Sequence, residues 1–414
     1  VTRGFTATRL AWRDVPLGRV EVPKGRMALI AGFGSGLATR PGGPPGVVWA
    51  VGDRGPNIDV ETAAERFGLE ALGRMHAHDG AKLMPRPDAG PALAELRVEG
   101  DAVRLVRTIR IADASGRPIS GLPVPGGPHA ASEPAIDLAG ERLEPDPSGA
   151  DTEGIVALSD GGFWVGDEYG PSLLRLDAGG RVVVRWVPKG TEGQYARAGY
   201  PVEGRLPAIA ARRRLNRGFE ALAASPDERW LYLAFQSPLA HPDKAAHEGG
   251  RHVRLWKLDA ATGAVAAQFL YPLDPPESFA RDRAEGEVEP RDLKVSEIAA
   301  LGPDRLLVLE RASATTRLYA VDLDPAAALH PAHLDPATRP TAEELSGAGV
   351  ALPALSKRRL LDTDDAPEID RDLEGVALLS AHELLIVNDN DFGVEGASTA
   401  FWRIRFDAPL DRPS

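Results

Sequence analysis

Apolar residues occur along the chain in short runs, each ended by Gly, Pro, Asp or Asn, which is the pattern of β-strands bounded by turns. Four of these runs open on glutamate: Glu153-Gly154-Ile155-Val156-Ala157-Leu158, Glu220-Ala221-Leu222-Ala223-Ala224, Glu297-Ile298-Ala299-Ala300-Leu301 and Glu374-Gly375-Val376-Ala377-Leu378. The four glutamates are 67, 77 and 77 residues apart. A second run follows each one and ends in acid or amide: Phe163-Trp164-Val165-Gly166-Asp167-Glu168, 230–235 with Gln236, 306–309 with Glu310, and 384–387 with Asn388-Asp389-Asn390-Asp391. Third runs end at Asp177, Asp259, Asp322 and Asp407. Fourth runs are visible at 181–187 and 264–271, each after a Gly-containing turn.

A degenerate copy lies upstream, with Gly36-Leu37-Ala38, then 47–51 leading to Asp53-Arg54, then 94–98 and 103–111. Each unit reads as a four-stranded antiparallel meander, and units of this size arranged radially make an all-β propeller. Helical patterns are confined to 60–72, 208–214 and 324–329, so the crossover helices of a parallel sheet are missing. The last unit lacks a fourth strand, and 5–12 is expected to supply it and close the ring. Gly36 and Gly154 are 118 residues apart, so the Pro/Gly-rich stretch 112–152 is expected to hold either an irregular blade or a surface insertion. Six blades are favoured over five, in a single domain spanning 1–414.

A chain of 414 residues exceeds the ~250–300 at which one ordinary core stops growing, which a repeat architecture explains. The 44 Gly and 36 Pro fit the many turns. A net charge of −12 with no basic run argues against nucleic acid and against anionic membrane surfaces. No apolar stretch reaches the ~18 residues of a membrane span. Cysteine is absent, which removes disulfides, thiol nucleophiles and thiolate metal sites, so any metal must sit on oxygen or His. The start at Val1, without Met, is expected to be a processed end from which a signal peptide has been removed.

In an antiparallel pair the start of one strand neighbours the end of the next, so each marked glutamate and the acidic cluster of its unit open on one face. Glu153, Glu220, Glu297 and Glu374 are expected to converge at the channel mouth, ringed by Asp53, Asp167, Glu168, Glu310, Asp389 and Asp391. So many carboxylates repel one another and call for a hard cation, Ca²⁺ first, with Mg²⁺ or Mn²⁺ as substitutes. Arg54 and Arg311 stand beside acidic positions and suit an ester or phosphate oxygen. A cation with arginines is a hydrolytic kit, in which Glu153, Glu220, Glu297, Arg54 and Arg311 are the candidate catalytic groups. The competing reading makes each glutamate an acceptor of backbone N–H, or the ion a structural plug.

Other motifs rank lower. His76-Ala77-His78-Asp79 reads as a surface turn, and His129, His241, His247 and His252 as isolated polar residues. Gly32-Phe33-Gly34-Ser35-Gly36 lacks the Lys-Ser/Thr of a phosphate loop and reads as a strand turn. There is no Gly-x-Ser-x-Gly elbow, which argues against an ordinary serine esterase.

Five stretches together resemble the phytase-like family described as "esterase-like activity of phytase": Val51-Gly52-Asp53-Arg54-Gly55-Pro56-Asn57, Asp151-Thr152-Glu153-Gly154-Ile155, Trp164-Val165-Gly166-Asp167-Glu168-Tyr169-Gly170-Pro171, Asn216-Arg217-Gly218-Phe219-Glu220 and Asn388-Asp389-Asn390-Asp391-Phe392-Gly393. The resemblance implies a β-propeller exported from bacterial cells, periplasmic or secreted, with hydrolytic activity on esters or phosphate esters. Within these motifs Asn57 and Arg217 join Arg54 and Arg311 as candidate substrate-binding residues. Propeller phytases carry a lysine-rich phosphate subsite, whereas this chain has seven Lys. A smaller phosphomonoester or phosphodiester is therefore expected rather than inositol hexaphosphate. The leading expectation is a monomeric, Ca²⁺-dependent ester hydrolase. The alternatives are a non-enzymatic binding propeller with a structural Ca²⁺, and a lactonase-type propeller that shares the ion without needing phosphate-directed arginines.

Overall fold

Five sheets recur along the chain. The first is made of Gly36–Ala38, Val47–Gly52, Ala92–Glu99 and Ala102–Arg110. The second contains Thr152–Ala157, Phe163–Asp167, Ser172–Leu176 and Val182–Pro188, with Val202–Leu206 added in parallel at its edge. Phe219–Ala224, Trp230–Phe235, His252–Asp259 and Val265–Pro272 form the third. The fourth comprises Lys294–Gly302, Arg305–Arg311, Thr316–Asp322 and Lys357–Asp362. In the fifth, Leu373–Ser380, Glu383–Asn388 and Phe401–Phe406 are completed by Phe5–Leu10. The computed structural model describes residues 4–70, 72, 80–127 and 132–411.

Each sheet's first strand packs beside the first strand of the next, and that of the fifth sheet returns to that of the first. Between sheets lie apolar layers, such as the Trp49–Phe163 contact at 4.8 Å between the first and second, and the cluster that joins Trp164 and Trp186 of the second to Phe219, Phe235 and Trp256 of the third. The turn Gly32-Phe33-Gly34-Ser35-Gly36 owes its glycines to this packing. A Cβ on Gly34 would lie 2.2 Å from the Asn388 carbonyl oxygen, and one on Gly36 2.6 Å from that of Glu153.

The N-terminal strand pairs antiparallel with the last one, from Phe5↔Phe406 to Leu10↔Phe401, as the missing fourth strand required. Phe5 and Leu10 are buried there. Their burial is worth about 1.5–3 kcal/mol each, and removal leaves a bare strand edge. Deleting residues 1–11 is expected to lower the melting temperature by roughly 10 °C and to promote association, read by differential scanning fluorimetry and light scattering. An unchanged melting temperature would show that the strand is dispensable.

Residues 112–152 do not form a four-stranded sheet among the described residues. Before the second sheet begins they contribute one two-residue strand, Ala135–Ile136, which joins Ile58–Asp59 and Lys82–Leu83 in a small separate sheet beside the helix Val60–Phe67. Among the described residues the sixth blade favoured from its length has no four-stranded sheet there. His76-Ala77-His78-Asp79 and His129 lie outside the described residues. The fourth sheet's last strand, Lys357–Asp362, falls outside the sequence repeat because 323–356 intervene. That excursion is tied to the third sheet by the buried pair Arg254–Glu343, 2.7 Å apart.

Candidate functional site

The carboxylates converge because of a repeated backbone irregularity. In the third sheet Phe219 pairs with Phe235 and Ala221 with Ala234, so Glu220 is an extra, bulged residue. The fifth sheet repeats this at Glu374, between Leu373↔Asn388 and Gly375↔Val387. In the second, the register shifts between Thr152 and Ile155, at Glu153 and Gly154. A bulge re-aims its side chain out of the strand's alternation, here into a shared cavity. The three glutamates offer oxygens all within 4.8 Å of one another.

The fourth sheet departs from the pattern expected from sequence. Its bulge falls between Val295 and Glu297, so Ser296, and not Glu297, occupies the position of Glu153, Glu220 and Glu374. Glu297 is shifted by one residue and is fully buried. It crosses to the first sheet, where Oε2 accepts the Leu37 N–H at 3.3 Å, while Oε1 accepts the Ile298 N–H at 3.0 Å. Burial pushes its carboxyl well above the usual range. The backbone-acceptor reading therefore applies to Glu297, which does not line the cavity.

The second strands obey the two-residue period. Asp167, Glu310 and Asn388 lie at the paired ends, while the residues that follow them, Glu168, Arg311 and Asp389, line the cavity together with Gln236 and Asp53. Asp167 turns away to Arg185 at 2.6 Å, and its Oδ1 accepts the Asp151 N–H at 2.8 Å. Glu310 turns away to Lys357 at 2.5 Å and accepts the Tyr271 hydroxyl at 2.6 Å. Neither is a free ligand, contrary to the expectation for both. In the acidic turn Asn388 and Asn390 serve the fold, Asn390 donating to Ala31 O at 2.9 Å, and Asp389 and Asp391 face the cavity.

The resulting cavity has a volume of about 230 Å³, and every described side chain that lines it is polar or charged. It brings together Asp53, Arg54, Asn57, Glu153, Glu168, Arg217, Glu220, Arg311, Glu374, Asp389 and Asp391. Sequence reading missed Lys294, Asp372, Asn216, Gln236 and Lys82, which also line it. Lys294 and Asp372 each precede a bulge residue by two positions, a spacing that was legible once the bulge was known. The far ends of the same inner strands enclose a second cavity of about 210 Å³, whose walls include Leu37, Val156, Leu222, Ile298 and Val376.

Arg54 and Arg311 are largely spoken for. Arg54 bonds Glu133, Asn216 and Asp151, the last at 2.9 Å, and Arg311 bonds Glu374, Asp372 and Ser296. Among the described residues no ion pair takes Arg217 or Lys294, and the buried Arg217 Nη1 has no hydrogen-bond partner. Glu168 Oε1 and Glu220 Oε2 are likewise buried and unpartnered. Burial, then repulsion from Glu374, pushes the Glu220 carboxyl up to about 7. Burial and neighbouring carboxylates raise Glu153, Glu168, Asp53 and Asp389 well above the usual range. Lys294 is pulled down to about 8, by Arg311 first and then by burial. Carboxylates held this far from their ordinary state, with unpartnered oxygens and no sulfur or His among them, form a donor set suited to a hard cation.

An all-β chain whose repeated sheets deliver carboxylates and cations to one polar cavity is thereby defined. It belongs to the phytase-like family described as having esterase-like activity of phytase, whose model matches residues 29–392. A stretch of 267 residues is 27% identical to a protein of Arthroderma benhamiae described as an uncharacterized secreted protein, covering 56% of this chain and 49% of that one. The chain thus spans about half the length of the curated relative it matches. Among solved structures it is similar to the PQQ-bound aldose sugar dehydrogenase of Streptomyces coelicolor, at 12% identity and a TM-score of 0.30 over 97% of this chain and 98% of that one. It is also similar to a luciferin-regenerating enzyme, at 10% identity and a TM-score of 0.34 over 97% and 95%. Likeness at this level has no bearing on activity.

Proposed function

We propose that this protein is an exported, monomeric, Ca²⁺-dependent hydrolase of phosphate or carboxylic esters, working at the mouth of a single propeller domain whose blades are the five sheets. The observation that carries this reading is the juxtaposition of the Glu153, Glu220 and Glu374 oxygens with the unspent cations Arg217 and Lys294 in one cavity. Family membership supports the hydrolytic class, and the secreted relative supports export. The three glutamates would hold the ion, which when bound would supply Lewis acidity toward an ester oxygen.

The chain's own residues do the rest. Arg217 and Lys294 bind the anionic or developing oxygen, and at neutral pH Lys294 remains mainly charged. Asn57, Asn216 and Gln236 supply neutral hydrogen bonds that orient the substrate. Arg54 holds the wall by tying Asp151 and Glu133 together, and so positions Asp53 beside it. Arg311 fixes Glu374 in the same way. These two arginines therefore move from substrate binding, as expected from sequence, to positioning.

Arg217→Ala is expected to raise KM for an anionic ester about 10- to 100-fold, the cost of one charge-assisted contact, with little change for a neutral ester. Steady-state kinetics on p-nitrophenyl phosphate and p-nitrophenyl acetate, with Ca²⁺ and with EDTA, measure this. Silence on every ester with Ca²⁺ restored would overturn the hydrolase and leave a binding propeller. Because Arg54 and Arg311 are consumed by carboxylates, a lactonase-type activity is the second reading. It predicts lactone opening that survives Arg217→Ala.

A further inference from the structure

The charge and lining of the cavity narrow the substrate further. Of the five cations that line it, Arg54 is bound to Asp151 and Glu133, Arg311 to Glu374 and Asp372, and Lys82 to Asp59 at 3.0 Å. Arg217 and Lys294 alone are left to receive an incoming anion, among the described residues. They share the cavity with eight carboxylates, of which Glu168 and Glu220 act on Arg217 and Glu374 and Glu220 on Lys294. With the ion held by the three glutamates, these two cations can pair with one singly charged group. A second or third negative charge on the substrate would stand against the remaining carboxylates without a cationic partner.

Size and polarity point the same way. A volume of about 230 Å³ lies below the ~300–1,000 Å³ of most ligand pockets, enough for one phosphoryl group and part of its substituents. No apolar side chain among the described residues lines the cavity, so an acyl chain finds no surface on which to lose water. The cavity at the other end of the inner strands, where apolar residues mix with Thr39, Arg40, Ser225 and Glu228, is a separate space lined by a different set of residues. The unpartnered, buried oxygens of Glu168 and Glu220, aimed into the polar cavity, mark it as built for a ligand and not merely as an acidic patch.

We infer that the site takes a phosphodiester with hydrophilic substituents, in preference to phosphomonoesters, polyphosphates and long-chain carboxylic esters. This rests on the reading of the site as an ester hydrolase. In the reaction the oxygen of a water molecule bonds to phosphorus, one P–O ester bond breaks, and a proton from the water ends on the departing alcohol oxygen. The products are one alcohol and one phosphomonoester. The monoester carries more negative charge than its parent, so the acidic mouth that admits the diester expels the product.

The test uses the full chain with Ca²⁺ and follows glycerophosphoglycerol, glycerol 3-phosphate, inositol hexakisphosphate and p-nitrophenyl decanoate, the phosphates by ³¹P NMR and the decanoate by absorbance. The expected result is a kcat/KM for the diester at least about 10-fold above each of the others, and weak inhibition by glycerol 3-phosphate. Asp372→Asn, which removes one mouth charge, is expected to narrow the gap between diester and monoester. Faster turnover of a monoester, of inositol hexakisphosphate or of the decanoate would overturn the inference while leaving an ester hydrolase. Loss of activity on all four, and on p-nitrophenyl acetate as well, would overturn the hydrolase itself. A diester-to-monoester ratio unchanged in a folded Asp372→Asn protein would remove the electrostatic basis of the preference.

Discussion

Glu220→Gln is expected to weaken Ca²⁺ binding by about 30-fold or more and to abolish most ester hydrolysis, whereas Glu297→Gln leaves both near the wild-type level. A pair of unit charges 4 Å apart at an effective dielectric near 20 interacts by about 4 kcal/mol, and losing half of that for a divalent ligand already gives about 30-fold. Glu297 differs because both its oxygens accept backbone N–H bonds away from the cavity, so Gln, which loses one of these acceptors, costs stability and not ion binding. Isothermal titration with Ca²⁺ checks both variants. Equal losses in the two would mean that the bulge does not decide which glutamate meets the ion.

The same substitution carries a pH signature. The Glu220 carboxyl titrates near 7 in the folded apo chain against its ordinary 4.5, so between these values the native state holds a proton that the unfolded chain has released. Stability of the apo protein therefore falls as pH rises through that window, by roughly 3 kcal/mol for this group alone. Glu220→Gln removes the penalty. In EDTA at pH 8 the variant is expected to melt above the wild type, and with saturating Ca²⁺ below it. Melting curves at pH 5 and pH 8, with each additive, read the crossover directly.

Arg185→Ala is expected to destabilise the protein by about 3–5 kcal/mol, although Arg185 does not itself line the cavity. Arg185 and Asp167 are both fully buried. The guanidinium also donates to Ser172 Oγ at 2.8 Å, Gly149 O at 2.8 Å and Tyr200 Oη at 2.9 Å, and lies over the Tyr195 ring. Truncation leaves the Asp167 charge buried and uncompensated, next to the Asp151 N–H that it anchors. Because Asp151 in turn holds Arg54, activity is expected to fall with stability. Urea denaturation measures the loss, and a change below about 1 kcal/mol would show that solvent or a neighbour replaces the guanidinium.

Much of this was legible in the chain. Period-two runs and turn residues locate most strands of the five sheets, because strand formation answers to local alternation and to the backbone demands of Gly and Pro. The missing fourth strand of the last unit assigned itself to the N-terminus, and the antiparallel rule brought Glu153, Glu220 and Glu374 to one mouth with Glu168, Asp389 and Asp53. Where a long excursion intervened, as at 323–356, the period was lost and the strand Lys357–Asp362 with it.

The sequence by itself determined the strands, their repeat and the end of the sheets at which the acids gather. Only the tertiary structure decided which acid of each adjacent pair enters the cavity, because that depends on hydrogen-bond register across strands. A bulge at Ser296 moves Glu297 out of the mouth, and the paired position of Asp167 turns it to Arg185 while Glu168 faces in. Partner choice was equally non-local: Arg54 finds Glu133 79 residues away and Arg311 finds Glu374 63 residues away, which leaves Arg217 and Lys294 to meet a substrate. A one-residue shift in register costs the local pattern nothing and yet reverses the face a side chain meets, so the pattern alone cannot carry that information.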